Sequence, residues 1–489
     1  MNSDKNQSLA WASSEFENAN MGDDRLKVRL IRIADRLGSM PESPINQACN
    51  GWAETKGAYR FFQNESVDSK EILATHAART AQRANDFDII LAIQDTSYFS
   101  YTDHKKTTGL GVISKTPGKN VASMSSVGLI MHTSFAVSTE GLPLGILDQK
   151  IFPRPTLPED LVELKKRSHN TNVAIEDKES FRWLESLEKT KNAMLGSGTK
   201  VVTVCDREGD FYEFFERAKT LDTSFLVRAR ADRTVNKPSR YAEQEVEKLW
   251  AHIGNLSVQG SIEVEIPARD NKPARVACLD IRYGSIRISP PRNHIRHKSE
   301  TMPDLQLTAV YAVEPNPPPE EKEPLEWMLL TDLPVVTFDE AVEKIKWYCL
   351  RWRIEVFHKI LKSGLKVEQC RLQTADRLIR YLTIMSIIAW RIYWINLLAR
   401  TNPDLPCSTI LCEEEWKVLY AKIHGAKKEP PAQAPKIGDV VRWIAMLGGF
   451  LARKNDGQPG VITLWRGWKR LFDLTEGWNL AKGLNETCG

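Results

Sequence analysis

The sequence lacks a large excess of either charge and lacks paired cysteine motifs. Its 489 residues contain 67 Lys and Arg against 63 Asp and Glu, a formal charge of +4. So small a total says little about partners, and the positions of the charges carry the information instead. None of the eight cysteines forms a C-x-x-C pair, and the closest two, Cys407 and Cys412, have no histidine at zinc spacing. We therefore expect reduced thiols and no structural zinc.

A signal peptide and a long uninterrupted apolar run are also missing. The first twenty residues contain acids and no apolar core. The most apolar stretch, residues 381–390, is followed by Arg391 and is shorter than a bilayer span requires. We therefore expect a soluble, cytoplasmic protein with no membrane partner. At about 150 residues per domain, the length predicts about three domains.

The N-terminal region, residues 1–68, is expected to be helical. Asp23 can cap a helix that ends near Gly38, in which apolar residues recur at steps of four, three and four: Leu26, Leu30, Ile33 and Leu37. A second stripe runs beside them at the same steps: Arg25, Arg29, Arg32 and Arg36. Four arginines in register are typical either of a solvated surface or of a helix that faces DNA phosphates, and both interpretations stay open.

The middle of the chain has the pattern of an α/β or mixed sheet. Strands are predicted at 87–95, 127–137, 144–152, 200–205, 224–230 and 325–332, with helices at 178–194 and 209–219 between them. Residues 232–322 interrupt this order with short alternating segments and end in a proline-rich stretch, which predicts an antiparallel β insertion. A long helix is predicted from about 338 to 362, and the rest of the chain is mostly helical, with tryptophans in its last part: Trp443, Trp465, Trp468 and Trp478.

Two carboxylates are predicted to stand where buried strands end. Asp95 follows the apolar run IILAIQ, and Asp206 follows VVTVC. The carboxyl edge of a sheet is where ligand chemistry is commonly placed, although an aspartate there can also simply cap a strand or the next helix.

The predicted helix at 338–362 presents a third carboxylate in a basic environment. At roughly 100° per residue, Tyr348, Arg351, Glu355 and Lys362 fall within an arc of about 60°. The opposite side is apolar and is expected to be anchored in the core, with Val342, Ile345, Cys349, Trp352, Val356 and Ile360. Residues 344–375 hold eight Lys and Arg against two acids. A surface ion pair between Glu355 and Arg351 would explain the amphipathic pattern but not this surplus. One carboxylate among many cations indicates a site for a metal ion and a polyanion together.

These residues resemble the signature Y-x-x-R-x-x-x-E-x-x-x-x-x-x-K of the cut-and-paste transposases of bacterial insertion sequences. This group belongs to the DDE superfamily and has a ribonuclease-H-like core. The segments IQDTS around Asp95 and VCDREGDFYEF around Asp206 are similar to the two aspartate motifs of the family. GAYRFFQNESV near the N-terminus and AMLGGFLARK with GVITLWRGW near the C-terminus also match in order. The resemblance extends from Gly22 to Trp468.

The resemblance implies a ribonuclease-H-like mixed sheet core with an antiparallel β insertion, flanked by helical domains at both ends. The implied domains are an N-terminal DNA-end-binding domain at 1–68, a catalytic domain at 69–372 and a C-terminal dimerisation domain at 373–489. Asp95, Asp206 and Glu355 would form the catalytic, metal-binding triad, with two Mg²⁺ or Mn²⁺ ions in each active site.

The resemblance also implies a set of DNA contacts. Tyr348, Arg351 and Lys362 would contact phosphates beside the scissile bond, and Trp327 would stack on a base flipped out during hairpin formation. Arg228 would lie near the hairpin end. The residues implied to bind the transposon end are Arg25, Arg29, Tyr59 and Arg60. The match is looser in this N-terminal region, where Leu26, Lys27, Trp52 and Lys56 differ from the pattern of the close relatives.

The implied partners are double-stranded DNA, as inverted-repeat ends and as target, and a second copy of the chain in a synaptic dimer on the bacterial nucleoid. Two alternatives stay open at this stage: a two-metal structure-specific nuclease without strand transfer, and a catalytically inactive DNA-binding inhibitor. A small-molecule phosphatase fits poorly with the arginine stripe. The β insertion adds cations that belong either to a solvated loop or to a second DNA contact: Arg282, Arg287, Arg292, Arg296 and Lys298.

Overall fold

The protein is known from a computed structural model of the full chain. It describes residues 10–49, 51–116, 124–155, 173–236, 247–266, 273–292, 294, 296, 301–319, 321 and 324–487.

The N-terminal region is helical, as predicted. Its helices are α1 (Ala10–Phe16), α2 (Asp24–Ser39), α3 (Ile45–Ala48) and α4 (Trp52–Gln63), and α5 (Ser69–Ala84) follows this region. The Asp23 side chain accepts a hydrogen bond from the Arg25 amide at 2.8 Å, which satisfies one of the unpaired N–H groups at the start of α2. Leu30, Ile33 and Leu37 are buried on the inner face of this helix, so the predicted apolar stripe is confirmed.

Within the described residues, ten strands form one mixed sheet. They are β1 (Ile89–Ser100), β2 (Gly111–Thr116), β3 (Met124–Ser138), β4 (Pro143–Phe152), β5 (Lys200–Cys205), β6 (Ser224–Arg228), β7 (Gly260–Ile266), β8 (Arg275–Ile288), β9 (Leu305–Val313) and β10 (Glu326–Thr331). Their order is β2-β3-β1-β5-β6-β10-β9-β8-β7, and β4 also pairs with β3. Strands β1, β5 and β6 are parallel neighbours, and the other pairs are antiparallel. A mixed sheet of this kind is consistent with a ribonuclease-H-like core.

The β insertion is confirmed, and it is joined to the core sheet. Strands β7, β8 and β9 form an antiparallel ladder. Strand β10 pairs with β9 on one side and with β6 on the other, so the insertion extends the sheet of the core. Strand β2 and the short helix α8 (Leu249–Gly254) were not predicted from the sequence.

Further helices cover the sheet and form the C-terminal region. They are α6 (Phe181–Ala193), α7 (Tyr212–Thr220), α9 (Phe338–Cys349), α10 (Trp352–Lys359), α11 (Ala375–Thr401), α12 (Glu413–His424), α13 (Ile437–Leu447) and α14 (Val461–Thr487). The prediction of one helix from 338 to 362 is wrong, because it is interrupted after Cys349. The Arg351 and Arg353 amides donate to the carbonyls of Tyr348 and Leu350 at 3.0 and 2.9 Å, three residues back, which marks a tighter turn.

Among the described residues, α11 is the one helix long and apolar enough to cross a bilayer by length and composition. In its most apolar window, 94% of the residues are buried inside the protein, which is typical of a core helix and makes it weak evidence for a membrane span. The sequence estimate that this stretch is too short is wrong, because the helix continues through Arg391. That residue is buried, and its guanidinium lies over the rings of Trp11 and Trp468 at 4.7 and 5.2 Å.

Candidate active site

Asp95 and Asp206 lie side by side in the sheet. The parallel pairing of β1 with β5 ends at Gln94 opposite Cys205, and each aspartate is the next residue. Asp206 follows the last residue of β5, as predicted, and its carboxylate accepts a hydrogen bond from the Glu208 amide at 2.8 Å. The prediction that Asp95 ends its strand is wrong. Strand β1 runs on to Ser100 because β3 continues to pair with it after β5 has stopped.

The two carboxyls have opposite pKa shifts. Burial would raise the pKa of Asp95, but the hydrogen bond and charge of His358 and the charge of Arg351 outweigh it and lower the pKa. Burial raises the pKa of Asp206, and the nearby charge of Asp95 raises it further, against the Glu208 amide and the cations Arg351 and Arg228. The pair therefore concentrates negative charge in a place where bound cations would relieve repulsion.

Arg351 lies among the carboxylates. Its Nη2 atom donates to Glu355 Oε1 at 2.6 Å, and its guanidinium is 5.9 Å from the ring centre of Tyr348. Burial disfavours its charge, but Tyr348, Glu355 and Asp95 outweigh this effect and raise the pKa of Arg351. The surface ion pair of Arg351 with Glu355, which the sequence analysis considered as an explanation of the amphipathic pattern, is thus present. It forms beside Asp95 and Asp206.

The carboxylates suit Mg²⁺ or Mn²⁺ in chemistry but are not assembled in this conformation. All three offer oxygen atoms, the ligands that these hard ions prefer. Among the described residues, however, no three His, Cys, Asp or Glu side chains stand close enough together to hold a metal ion. The side chain of Glu355 is engaged by Arg351 instead. A complete three-carboxylate site would require that ion pair to open.

Lys362 lies close to the same site. It belongs to a π-helical turn, Ile360–Gly364, that continues α10, and such turns are frequent at functional sites. Its Nζ atom is 5.3 Å from the ring centre of Phe99 on β1. Burial lowers the pKa of Lys362, while the charges of Glu368 and Asp95 oppose this shift. Lys362 thus adds a second cation near Asp95.

Trp327 and Tyr348 pack against each other next to Arg228. Trp327 is partly exposed on β10, and its ring meets that of Tyr348 edge to face at 5.4 Å. Arg228, on the neighbouring strand β6, donates to the Glu326 carbonyl at 2.8 Å. Burial lowers the pKa of Arg228 and raises the pKa of Tyr348. Tyr348, which the sequence placed on one helix face with Arg351 and Glu355, therefore also contacts residues of two strands, β10 and β6.

One prediction about the apolar side of this helix is wrong. The side chain of Trp352, expected on the side opposite Glu355 and anchored in the core, is 38% exposed. Trp352 precedes Glu355 by three residues, so at roughly 100° per residue the two side chains lie about 60° apart, on the same side of the helix.

Three residues near the site were not singled out from the sequence. His358 lies with Nδ1 3.5 Å from Asp95 Oδ2, and its position three residues after Glu355 on the same helix could have identified it. Arg182 on α6 donates to Glu208 Oε2 and to Thr96 Oγ1, both at 3.1 Å. Burial raises the pKa of Glu208, and the charge of Asp206 adds to this shift. Thr96 and Glu208 are 86 and 26 residues away from Arg182 in the sequence, so no short-range pattern could have predicted these contacts.

The N-terminal arginines line a groove between α2 and α4. Its volume is about 470 Å³, and its lining includes the four arginines of the predicted stripe: Arg25, Arg29, Arg32 and Arg36. Arg25 pairs with Asp23 at 2.9 Å, and Arg36 pairs with Glu54 at 3.2 Å. On α4, Tyr59 and Arg60 are exposed. The residues predicted to bind the transposon end therefore lie in a different part of the sequence from Asp95, Asp206 and Glu355.

Several cations of the β insertion are engaged within the protein. Arg282 donates to the Leu256 carbonyl at 3.0 Å. Arg287 pairs with Asp304 at 3.7 Å, and Arg296 pairs with Glu216 at 2.5 Å. Lys298 lies outside the described residues. These contacts favour a structural role for these three arginines over a second DNA surface.

Two models of known protein families match this chain, one near each end. A family model described as transposase DNA-binding matches residues 8–67. Another, described as the transposase Tn5 dimerisation domain, matches residues 387–488. The class that fold and matches support is a DNA-processing enzyme with a ribonuclease-H-like core between two helical regions. More particularly, the two matches support a Tn5-type transposase, with DNA and a second copy of the chain as partners.

Proposed function

We propose that the protein is a metal-dependent cut-and-paste DNA transposase that acts as a homodimer on two inverted-repeat ends in the bacterial cytoplasm, on the nucleoid. The observation that carries the proposal is that Asp95 and Asp206 each come directly after the last pair of β1 with β5, beside the ion pair of Arg351 with Glu355. The matched DNA-binding and dimerisation regions on either side support the same function.

Asp95, Asp206 and Glu355 would hold two Mg²⁺ or Mn²⁺ ions. When bound, such ions activate an oxygen nucleophile and stabilise the leaving oxygen of a phosphodiester. Arg351, Tyr348 and Lys362 would hold the phosphates beside the scissile bond, because two cations and a phenol hydroxyl are gathered around the aspartates. Burial of these groups strengthens their electrostatic effect on a bound phosphate.

The proposed reaction consists of successive phosphodiester exchanges. Water cleaves one strand at the transposon end and frees a 3′-hydroxyl. This hydroxyl attacks the opposite strand, which forms a hairpin and releases the flanking DNA. A second water opens the hairpin, and the regenerated 3′-hydroxyl attacks a target strand. Each step breaks one phosphodiester bond and forms one new bond from oxygen to the same phosphorus.

The reaction can be tested with a duplex that ends in the inverted repeat flanking the gene, already cleaved to leave a 3′-hydroxyl. With Mg²⁺ and a target plasmid, the proposal predicts joined products. Hydrolysis without joining would instead identify a structure-specific nuclease. DNA binding with neither reaction would identify an inactive DNA-binding protein.

Replacing Trp327 with alanine is expected to stall the reaction after the first nick. The exposed part of the indole would stack on the base that leaves the duplex when the hairpin forms, and without it that base loses roughly 1–3 kcal/mol of stacking. We expect nicked DNA to accumulate and hairpin yield to fall about tenfold, as measured on denaturing gels.

The conservative variant Trp327→Phe serves as the control. It keeps an aromatic face towards the DNA and a ring against Tyr348, so hairpin formation should be largely restored. Normal hairpin yield in Trp327→Ala would remove this residue from the mechanism and leave it as a packing residue on β10.

DNA binding is expected to weaken steeply with salt despite the net charge of +4. Each phosphate that a Lys or Arg neutralises contributes about −0.9 to the slope of log affinity against log salt concentration. The local groups of cations in α2, α4 and residues 344–375 predict a slope of about −4 or steeper. Titration of a labelled duplex at several salt concentrations measures it, and a flat response would contradict a phosphate-binding role.

A further inference from the structure

A cavity of about 360 Å³ lies where helices from the two ends of the chain meet. Its walls come from α1 and α2 of the N-terminal region, from α5, and from α11, α12 and α14 of the C-terminal region. The indoles of Trp11, Trp394 and Trp468 form apolar parts of the wall, and the hydroxyls of Ser14 and Ser39 form polar parts. The cavity is separate from the candidate active site, because none of the three site carboxylates lines it.

Asp35 faces this cavity with a carboxyl group that has no partner. The residue lies on α2 and lines the cavity, although only 2% of its surface is exposed. Within the described part of the chain, no hydrogen bond or ion pair engages its side chain, and only the charges of more distant neighbours act on it. Buried polar groups normally have a hydrogen-bond partner, so this carboxyl group is evidence for a ligand that donates to it.

Two further charged groups of the cavity, Glu415 and Arg391, have no ion-pair partner within the described residues. Glu415, on α12, accepts a hydrogen bond from a backbone N–H group at 2.9 Å. The guanidinium of Arg391 donates to a backbone carbonyl at 3.3 Å and lies over two indoles. Glu15 and Arg83 also line the cavity, but they neutralise each other at 3.1 Å. When Asp35 and Glu415 are ionised, two carboxylates therefore face one guanidinium, and one positive charge is missing.

We propose that this cavity binds the primary ammonium group of a small aliphatic amine, between the carboxylates of Asp35 and Glu415. A primary ammonium has one positive charge and three N–H donors, which match the missing charge and the carboxylate and hydroxyl acceptors of the wall. The alkyl chain lies against the indoles of Trp11 and Trp394. The donor set favours an organic cation over a divalent metal ion, because no three metal-binding side chains of the described residues stand close together.

This site goes beyond the proposed function, because it requires neither DNA nor the candidate active site. One of its carboxylates, Asp35, belongs to the region matched as transposase DNA-binding. The other, Glu415, belongs to the region matched as the dimerisation domain. The bound amine therefore connects the two matched regions within one chain.

Binding is expected to strengthen from about pH 6 to about pH 8, because the ammonium group needs an ionised carboxylate. Burial raises the pKa of Asp35 to about 7, and burial also raises the pKa of Glu415. The charged groups that face Asp35, some raising its pKa and some lowering it, are Glu15, Arg36, Glu54, Arg83, Arg391 and Glu415. The Cys412 thiol also lines the cavity and stays neutral, since burial raises its pKa to about 12. Affinity should therefore rise about tenfold over this range.

The test uses the full-length protein and butylammonium chloride, with sodium chloride added to keep the ionic strength constant. Saturation-transfer nuclear magnetic resonance of the ligand measures binding independently of any reaction on DNA. Saturable binding with a dissociation constant on the order of 1 mM is expected for so small a ligand. The neutral 1-butanol has nearly the same shape without the charge, and it should bind at least about tenfold more weakly. These two measurements and the pH series need only the wild type.

Asp35→Asn keeps the size of the side chain and removes its charge, so it should weaken butylammonium binding at least about tenfold and reduce the pH dependence. Asp148→Asn is the matched control. Asp148 is also buried and burial raises its pKa, but it lies on β4 and does not line the cavity. Its replacement should leave the affinity as in the wild type. Melting temperatures without ligand verify that both variants fold.

Equal affinity for 1-butanol, or an affinity that does not rise with pH, would overturn the proposal. Wild-type affinity in Asp35→Asn, or an equal loss of affinity in Asp148→Asn, would overturn it as well. Displacement of butylammonium by magnesium chloride at the same ionic strength would identify a metal site and reject the amine. None of these measurements involves DNA, so each of these outcomes would leave the proposed transposase function intact.

Discussion

Replacing Asp95 with asparagine is expected to lower strand cleavage at least about a thousandfold while DNA binding persists. The substitution keeps the size of the side chain but removes the charge that Asp95 contributes beside Asp206 and, with it, a negative oxygen that would bind a metal ion in the proposed site. Loss of a group that stabilises charge in the transition state typically costs 10²–10³-fold, and loss of a metal ligand adds to this. Cleavage of a labelled inverted-repeat duplex and its gel shift measure the two effects separately.

The same result is expected for Asp206→Asn and Glu355→Gln, because the three carboxylates would act as one site. Asp148→Asn is a matched control: Asp148 is a buried carboxyl in the same sheet, on β4, and burial raises its pKa. Its replacement should leave cleavage within a few fold of the wild type. Retained cleavage in any of the three site variants would contradict the assignment of that residue.

The sequence predicted most strands because buried strands have continuous apolar runs that periodicity detects. It could not predict that the β insertion joins the core sheet, since β10 pairs with β6 nearly a hundred residues earlier in the chain. Nor could it place Asp95 inside β1. The run ILAIQ predicts where the apolar stretch ends, but pairing with β3 determines where the strand ends.

For the candidate site as well, the sequence predicted the features that depend on local spacing and missed those that depend on contacts between distant segments. Asp95 and Asp206 each directly follow an apolar run that the sequence shows, and the ion pair of Arg351 with Glu355 follows from helical spacing. The contact between Arg182 and Glu208 depends on how α6 packs against the sheet, which no local pattern encodes. The roles of these residues in metal binding and DNA binding stay predictions until the variants are measured.

The ion pair at Glu355 suggests how DNA binding and metal binding are coupled in the proposed enzyme. Arg351 donates a hydrogen bond to Glu355, and its charge also acts on Asp95 and Asp206. Arg351 donates one hydrogen bond to Glu355 in this structure, whereas a DNA phosphate could accept two parallel N–H bonds from the guanidinium and would hold it more strongly. Binding of DNA would therefore draw Arg351 away from Glu355 and free this carboxylate for the two aspartates.

Replacing Arg351 with alanine is thus expected to change metal binding and cleavage in opposite directions. Without DNA, the variant should bind Mn²⁺ about tenfold more tightly than the wild type, because a cation is removed from among the carboxylates and Glu355 is released. Its cleavage should nevertheless fall about 100-fold, since a phosphate contact is lost. Electron paramagnetic resonance of free Mn²⁺ measures the affinity independently of activity.

The neighbouring Arg353 provides the control for Arg351→Ala. It lies two residues after Arg351, in the first turn of α10, and its Nη1 atom is 3.4 Å from the Tyr393 hydroxyl on α11, so Arg353→Ala should leave Mn²⁺ affinity nearly unchanged. If Arg351→Ala binds Mn²⁺ no more tightly than the wild type, the ion pair does not restrain the site. Adding an inverted-repeat duplex distinguishes the cases further. Duplex should raise Mn²⁺ affinity in the wild type and have little effect in Arg351→Ala, because in the variant Glu355 is already free.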